Sequence, residues 1–194
     1  LNIWKNPADR NKLVNELNEK EFVDNLEVEF VLKNGEILNG LVSAGIIEVD
    51  NEKAILSVTR DITERKKIET KIKENEERFR AIFEQSASGM CLTSIEGKLI
   101  TVNSPLCEML FYSKGELVGK HLNSITHPDD LRIGADAVIQ MKKGKISKLV
   151  FEKRFLKKSG EVIWAHINSA LLRDEHNNPK YFIIQMEDIT PRIE

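Results

Sequence analysis

The chain has 194 residues, of which 41% are hydrophobic and 31% charged. Its 29 basic and 31 acidic residues give a net charge of −2, which argues against a phosphate-binding surface for nucleic acid. No apolar run approaches the roughly 20 residues that span a bilayer; the composition fits a globular protein of the cytoplasm with no membrane contact within it.

In chain order, residues 7–20 are expected to be helical, with Asp9 near the N-cap and Leu13, Val14 and Leu17 as an apolar stripe. The alternation in Leu26–Leu32 predicts a half-buried strand. Lys33-Asn34-Gly35-Glu36 reads as a hairpin turn of the primed type, with Asn-Gly supplying positive φ. Two more strands are expected over 36–48 and 53–60, joined at Asp50-Asn51. The first unit is thus read as a helix followed by a three-stranded antiparallel meander.

Residues 64–85 are densely charged and contain no Gly or Pro. Ile68, Ile72, Phe79 and Ile82 fall at steps of 4, 7 and 3; with Asn75 in the gap the pattern is that of a coiled-coil seam. An amphipathic helix packed on its own domain fits the same stripe. Glu69–Lys73, Glu74–Arg78 and Glu76–Arg80 are i,i+4 pairs in the favourable order.

Short strands are then expected at Gly89–Thr93 and Leu99–Val102, around a turn at Ile95–Lys98. Asn103-Ser104-Pro105 starts a helix with an apolar face at Leu106, Met109 and Leu110. Short helices around Lys114–Val118 and Leu122–Ile125 follow, then a longer one from Pro128 to about Lys142. Strands over 147–157, 161–173 and 179–188 close the unit. The order predicts an α+β fold: a five-stranded antiparallel sheet with helices between its second and third strands. One sheet face needs those helices as cover, and the charged helix preceding each unit is the natural cover for the other.

The chain repeats itself. Phe30–Ile37 returns as Phe155–Val162, Asp61-Ile62-Thr63 as Asp188-Ile189-Thr190, and Asn6-Pro7-Ala8-Asp9 as His127-Pro128-Asp129-Asp130. The offsets are 125, 127 and 121 residues, too long for a solenoid unit, so they mark two copies of one domain. The first copy lacks the stretch that precedes its Pro-x-Asp element.

The second unit resembles a PAS sensor domain, and the first resembles the C-terminal half of another. The resemblance rests on Phe79–Ser86, Glu96-Gly97, Val102-Asn103, Tyr112-Ser113, Glu116–Lys120, His127–Asp130, Phe151-Glu152, Arg154, Ser159-Gly160-Glu161, Trp164 and Asp188-Ile189-Thr190. It divides the chain into a partial domain over 1–63, a linking signal helix over 64–85, a complete domain over 86–190 and the start of an outgoing helix over 191–194. It implies a ligand-sensing, dimerising module of a histidine kinase or related signalling protein, with the downstream effector in the same parent chain. No kinase motif occurs here, and the chain is not expected to be an enzyme. The start at Leu1, with no signal-peptide pattern, leads us to expect a piece of something longer.

Thr63 and Thr190 stand where a strand gives way to a helix, so their hydroxyls are expected to cap it, with Asp61 and Asp188 near its positive pole. These four are the expected signal-relay residues. An apolar cavity wall is expected from Met90, Leu92, Leu106, Leu110, Leu117, Ile125, Val138, Ile167 and Ile184, with Asn103 as its polar member or as a helix cap. Ordinary core packing accounts equally for each apolar residue. His127 belongs to a helix start, and His121, His166 and His176 show no metal-ligand spacing. The family's flavin-binding light sensors carry a cysteine that Gly119-Lys120-His121-Leu122 lacks. The residues assign no cofactor. Cys91 and Cys107 read as buried free thiols. A scaffold that only dimerises is the alternative function.

Overall fold

The computed structural model describes residues 3–193; Leu1, Asn2 and Glu194, which the expected domain limits include, lie outside the described residues. Two compact units divide at Glu77/Arg78, inside one helix.

In the first unit, α1 (Pro7–Lys20) is followed by β1 (Phe22–Val31), β2 (Ile37–Val49) and β3 (Glu52–Asp61), an antiparallel sheet in the order β1-β2-β3. The N-cap of α1 is Asn6, not Asp9: its side chain accepts from the Ala8 N–H at 3.0 Å, and Pro7 fills the first turn. Leu17 is buried with Val23 and Ala44, and Leu13, Leu26 and Ile46 pack around them. β3 is exposed along its whole length.

The turn at Asn34-Gly35 is not the primed hairpin expected. Only Gly35 has positive φ (84°), while the Asn34 carbonyl side chain accepts from the Glu36 N–H at 3.0 Å. The primed geometry sits instead at Asp50-Asn51, with φ of 52° and 66°, where Val49 pairs with Glu52.

Helix α2 (Thr63–Glu84) starts in the first unit and ends in the second. Every residue from Lys67 to Ile82 is exposed, so α2 does not supply the expected cover for a sheet face. Of its i,i+4 pairs, Arg65–Glu69 closes at 2.7 Å, and the three expected pairs do not close among the described residues.

The second unit runs β4 (Gly89–Ser94), β5 (Leu99–Val102), α3 (Ser104–Leu110), α4 (Lys114–Leu117), 3-10 turns at Leu122–Ile125 and Pro128–Asp130, then α5 (Ala135–Lys142). It closes with β6 (Lys148–Leu156), β7 (Val162–Arg173), β8 (Pro179–Asp188) and α6 (Thr190–Ile193). The antiparallel sheet has the order β5-β4-β8-β7-β6, which puts the first and last strands of the unit side by side in the middle. The expected long helix from Pro128 is broken: Gly134 takes φ of 82°, so only the segment after it is α-helical. The core gathers Leu106, Leu110, Leu117, Ile125, Phe155 and Ile163 against the sheet. α3 packs so closely on β4 that a Cβ at Gly89 would stand 2.9 Å from Leu106.

Candidate functional site

A cavity of about 340 Å³ lies within the second unit. Its floor is the sheet, through Thr93 of β4, Phe151 and Lys153 of β6, Ile167 and Ser169 of β7, and Phe182 and Ile184 of β8. Its roof is the broken helical segment, through Leu131, Ile133, Gly134 and Val138. Among the residues expected to line a cavity, Val138, Ile167 and Ile184 do so.

The others sit elsewhere. Leu106, Leu110, Leu117 and Ile125 are closed into the core at 1% exposure or less. Met90 and Leu92 belong to the less buried row of β4, whose inward row is Gly89, Cys91 and Thr93. Asn103 is a joint rather than a cavity residue. Its Oδ1 accepts from Met90 N–H at 2.7 Å and Leu106 N–H at 3.0 Å, and its Nδ2 donates to the carbonyls of Phe83 (2.9 Å) and Ser88 (3.0 Å). All four of its hydrogen-bonding positions are used, which ties the last turn of α2 to β4 and α3. Its role as N-cap of α3 is observed.

The polar members of the wall are residues that sequence reasoning missed. Lys153 is 5% exposed and Ser169 6%. The Lys153 ammonium stands over the rings of Phe155 and Phe151, 5.0 and 5.7 Å from their centres. Burial pushes it down to about 8. The signal was present as period-two alternation: Leu149, Phe151, Lys153 and Phe155 share one row, and a charge in an inward row is unusual.

Next to the cavity, Asp130 clamps the loop to β6. It is 3% exposed and holds Arg154 through the backbone N–H (2.7 Å), Nε (3.1 Å) and Nη2 (2.6 Å). The Arg154 hydrogen bonds hold its carboxyl below the usual range. The guanidinium of Arg154 in turn lies 5.5 Å from the centre of the Trp164 ring on β7. His127 accepts from the Asp129 N–H at 3.3 Å and so caps its short helix, while His121 holds Asn123 N–H and the Glu96 carbonyl. Among the described residues no cluster of His, Cys, Asp or Glu has metal-binding geometry.

The two Asp-Ile-Thr corners are built alike. The Asp61 carboxylate accepts from Thr63 N–H at 2.8 Å, and Asp188 from Thr190 N–H at 2.9 Å. The threonine hydroxyls do not cap their helices as expected. They accept from the neighbouring strand: Thr63 from Asn39 N–H at 2.9 Å and Thr190 from Trp164 N–H at 3.0 Å. The isoleucines complete the latch, Ile62 N–H donating to the Asn39 carbonyl at 2.8 Å and Ile189 N–H to that of Trp164 at 2.9 Å. Helix capping falls to the aspartates, and the threonines fasten helix to sheet. In the first corner the Thr63 hydrogen bonds hold the Asp61 carboxyl below its ordinary range.

A family model described as a PAS domain matches residues 2–64 and 87–191. The chain belongs to the PAS domain family. Among curated proteins, it is 39% identical over 118 residues to a probable diguanylate cyclase, DgcE, of Escherichia coli, covering 61% of this chain and 11% of that protein. It is 23% identical over 118 residues to the sensor histidine kinase TmoS of Ectopseudomonas mendocina, covering 61% and 12%. The chain thus spans about a tenth of the length of these PAS-containing relatives. A PAS domain structure from Colwellia psychrerythraea superposes with a TM-score of 0.55 at 24% identity, over 60% of this chain and 98% of that one. One from an HTR-like protein of Haloarcula marismortui gives 0.51 at 22%, over 64% and 99%. The PAS fold is a sensory signalling module, and no described helix is long and apolar enough to cross a membrane.

Proposed function

We propose that the second unit binds a small molecule in its cavity and passes the binding event to the helix that follows Asp188-Ile189-Thr190. The observation that carries this reading is the double duty of β7. Ile167 and Ser169 form cavity wall, and Trp164, three and five residues away, supplies the backbone N–H that Thr190 holds. A shift of β7 caused by an occupant therefore acts directly on the start of α6. Arg154 stacked on Trp164 and paired with Asp130 adds a second connection, from the loop over the cavity to the same point. Asp61, Thr63, Asp188 and Thr190 are the relay residues in this reading.

The chain then works as cytoplasmic input to an effector in the same parent protein. Two relatives, a probable diguanylate cyclase and a sensor histidine kinase, support an effector of that kind. Two unpaired thiols fit a reducing compartment. In the signalling enzyme that carries this chain, Thr190→Val should uncouple stimulus from output while Thr190→Ser, which keeps the acceptor, retains it. Unchanged regulation in a folded Thr190→Val protein would sink the relay.

A second reading, dimerisation, is supported by α2. Ile68, Ile72, Phe79 and Ile82 are 50%, 55%, 49% and 65% exposed along one seam, as expected of a helix that pairs with a second copy. Sedimentation should give a homodimer that Ile68→Glu with Ile72→Glu dissociates; a monomeric parent chain at high concentration rejects it.

A further inference from the structure

The repeat supplies an internal control on the cavity. At the offset of 125 residues that superposes the two β-hairpins, Lys153 corresponds to Val28, Ile167 to Val42 and Ser169 to Ala44. Val28, Val42 and Ala44 are 4%, 3% and 6% exposed, as buried as their counterparts. The same strand positions are thus wholly apolar in one copy, so the scaffold itself has no need of a lysine or a serine there. A lysine 5% exposed beside the Phe151 and Phe155 rings costs stability unless a counter-charge meets its ammonium.

No such counter-charge is built into the wall. The carboxylate that acts on Lys153, Asp130, is occupied by Arg154 through both oxygens. The remaining ionisable groups on the cavity are Glu96, His121 and Lys142. Glu96 and Lys142 are exposed at the rim, and the two ring nitrogens of His121 are taken by Glu96 O and Asn123 N–H. Every fully enclosed polar side-chain atom among the described residues has a hydrogen-bond partner. Lys153 has two aromatic rings for neighbours, and it opens on the cavity.

We infer that the cavity of the second unit takes a small organic anion, a monocarboxylate with an apolar body, whose charged end meets Lys153 and whose body lies against Phe151, Val138, Ile167 and Ile184. Ser169, 6% exposed on the same wall, stands four residues along β7 from Ala165, the pairing partner of Lys153, so it faces the body of the ligand rather than its charged end. The volume of about 340 Å³ sits at the low end of small-molecule sites, roughly 300–1,000 Å³, and so limits the body to one ring or a short chain. This rests on the reading of the cavity as a ligand site, and it adds the chemical class.

The test is calorimetric titration of the 194-residue chain with paired acids and primary amides of equal shape: phenylacetate and phenylacetamide, then hexanoate and octanoate with their amides. We expect at least one acid to bind saturably and at least tenfold more tightly than its amide. Lys153→Met should remove that tenfold preference and leave amide binding unchanged, and Lys153→Arg should keep part of it. Thermal melts of both variants establish that they fold. Amides binding as tightly as acids, or acid affinity unchanged in Lys153→Met, overturns the anion inference while leaving the cavity a ligand site. Binding of none of the acids or amides overturns both.

Discussion

In the first unit the helix after Pro7 runs unbroken for 14 residues and lays Leu13 and Leu17 on the sheet. In the second unit the segment after Pro128 has Gly134 where the first has Leu13, and Val138 where the first has Leu17, at the repeat offset of 121. Gly134 turns the chain with φ of 82°, the helix starts again at Ala135, and both Gly134 and Val138 face the cavity. The positions that pack the helix onto the sheet in the first unit are thus smaller in the second, where they line the cavity. The difference extends to the clamp: Arg154 corresponds to Glu29, which pairs with Lys5 at 2.9 Å rather than with the loop aspartate. What the copies share is the Asp-Ile-Thr latch.

Each unit carries one tryptophan, Trp4 or Trp164, so the comparison can be broken one unit at a time by fluorescence. The largest effect is expected from Asp130→Ala. It removes the buried partner of Arg154, leaving only Asp129 at 3.5 Å, and should cost the second unit about 3 kcal/mol in denaturant melts read by Trp164 in a Trp4→Phe background. The pH dependence has a definite sign. The folded carboxyl is held below its unfolded value, so its contribution is present above about pH 4 and lost as pH falls through the folded value.

Lys153 should act with the same sign at alkaline pH, where loss of its charge removes a destabilising term. Its folded value, about 8, lies below the unfolded 10.5, so the unfolded chain holds more protons across that interval. Stability of the second unit should rise by about 1–3 kcal/mol between these values, and Lys153→Met should abolish the rise. A flat profile in the wild-type chain would mean that the ammonium is already paired. Gly40→Ala is the counterpart for the first unit: its Cβ would meet the Phe30 ring at 2.6 Å, and Trp4 lies 4.9 Å from that ring. It should cost about 1–3 kcal/mol, seen through Trp4 and not through Trp164. The smallest effects are those of Thr63→Val and Thr190→Val, about 1 kcal/mol each. Similar losses in the two units support one latch built twice; a large difference would separate them.

The repeat made much of this architecture legible. The succession of strands and helices along the chain, the Asp-Ile-Thr junctions and the start of α3 at Asn103 follow from local pattern and turn chemistry. The cavity was less so. Its apolar wall and the core draw on the same residue types, and only parity along a strand separates them. In β4 both rows read as apolar enough, Met90 and Leu92 against Cys91 and Thr93, so the pattern does not say which faces inward. Gly134 was hidden in a long helical periodicity that a single left-handed residue interrupts. Lys153 was the most readable of the missed residues, since the alternation of β6 and the valine in the other copy both single it out.

The two cysteines differ in a way that turns the second unit into its own reporter. Cys91 is completely buried in β4 and its thiol is pushed up to about 12, whereas Cys107 on α3 is half-buried. Burial holds Cys91 as the thiol at pH 8, and a maleimide cannot reach it while β4 is packed. Alkylation of the native chain should therefore stop at Cys107. A second label marks the moment β4 opens, and its rate measures local unfolding beside the cavity without a single substitution.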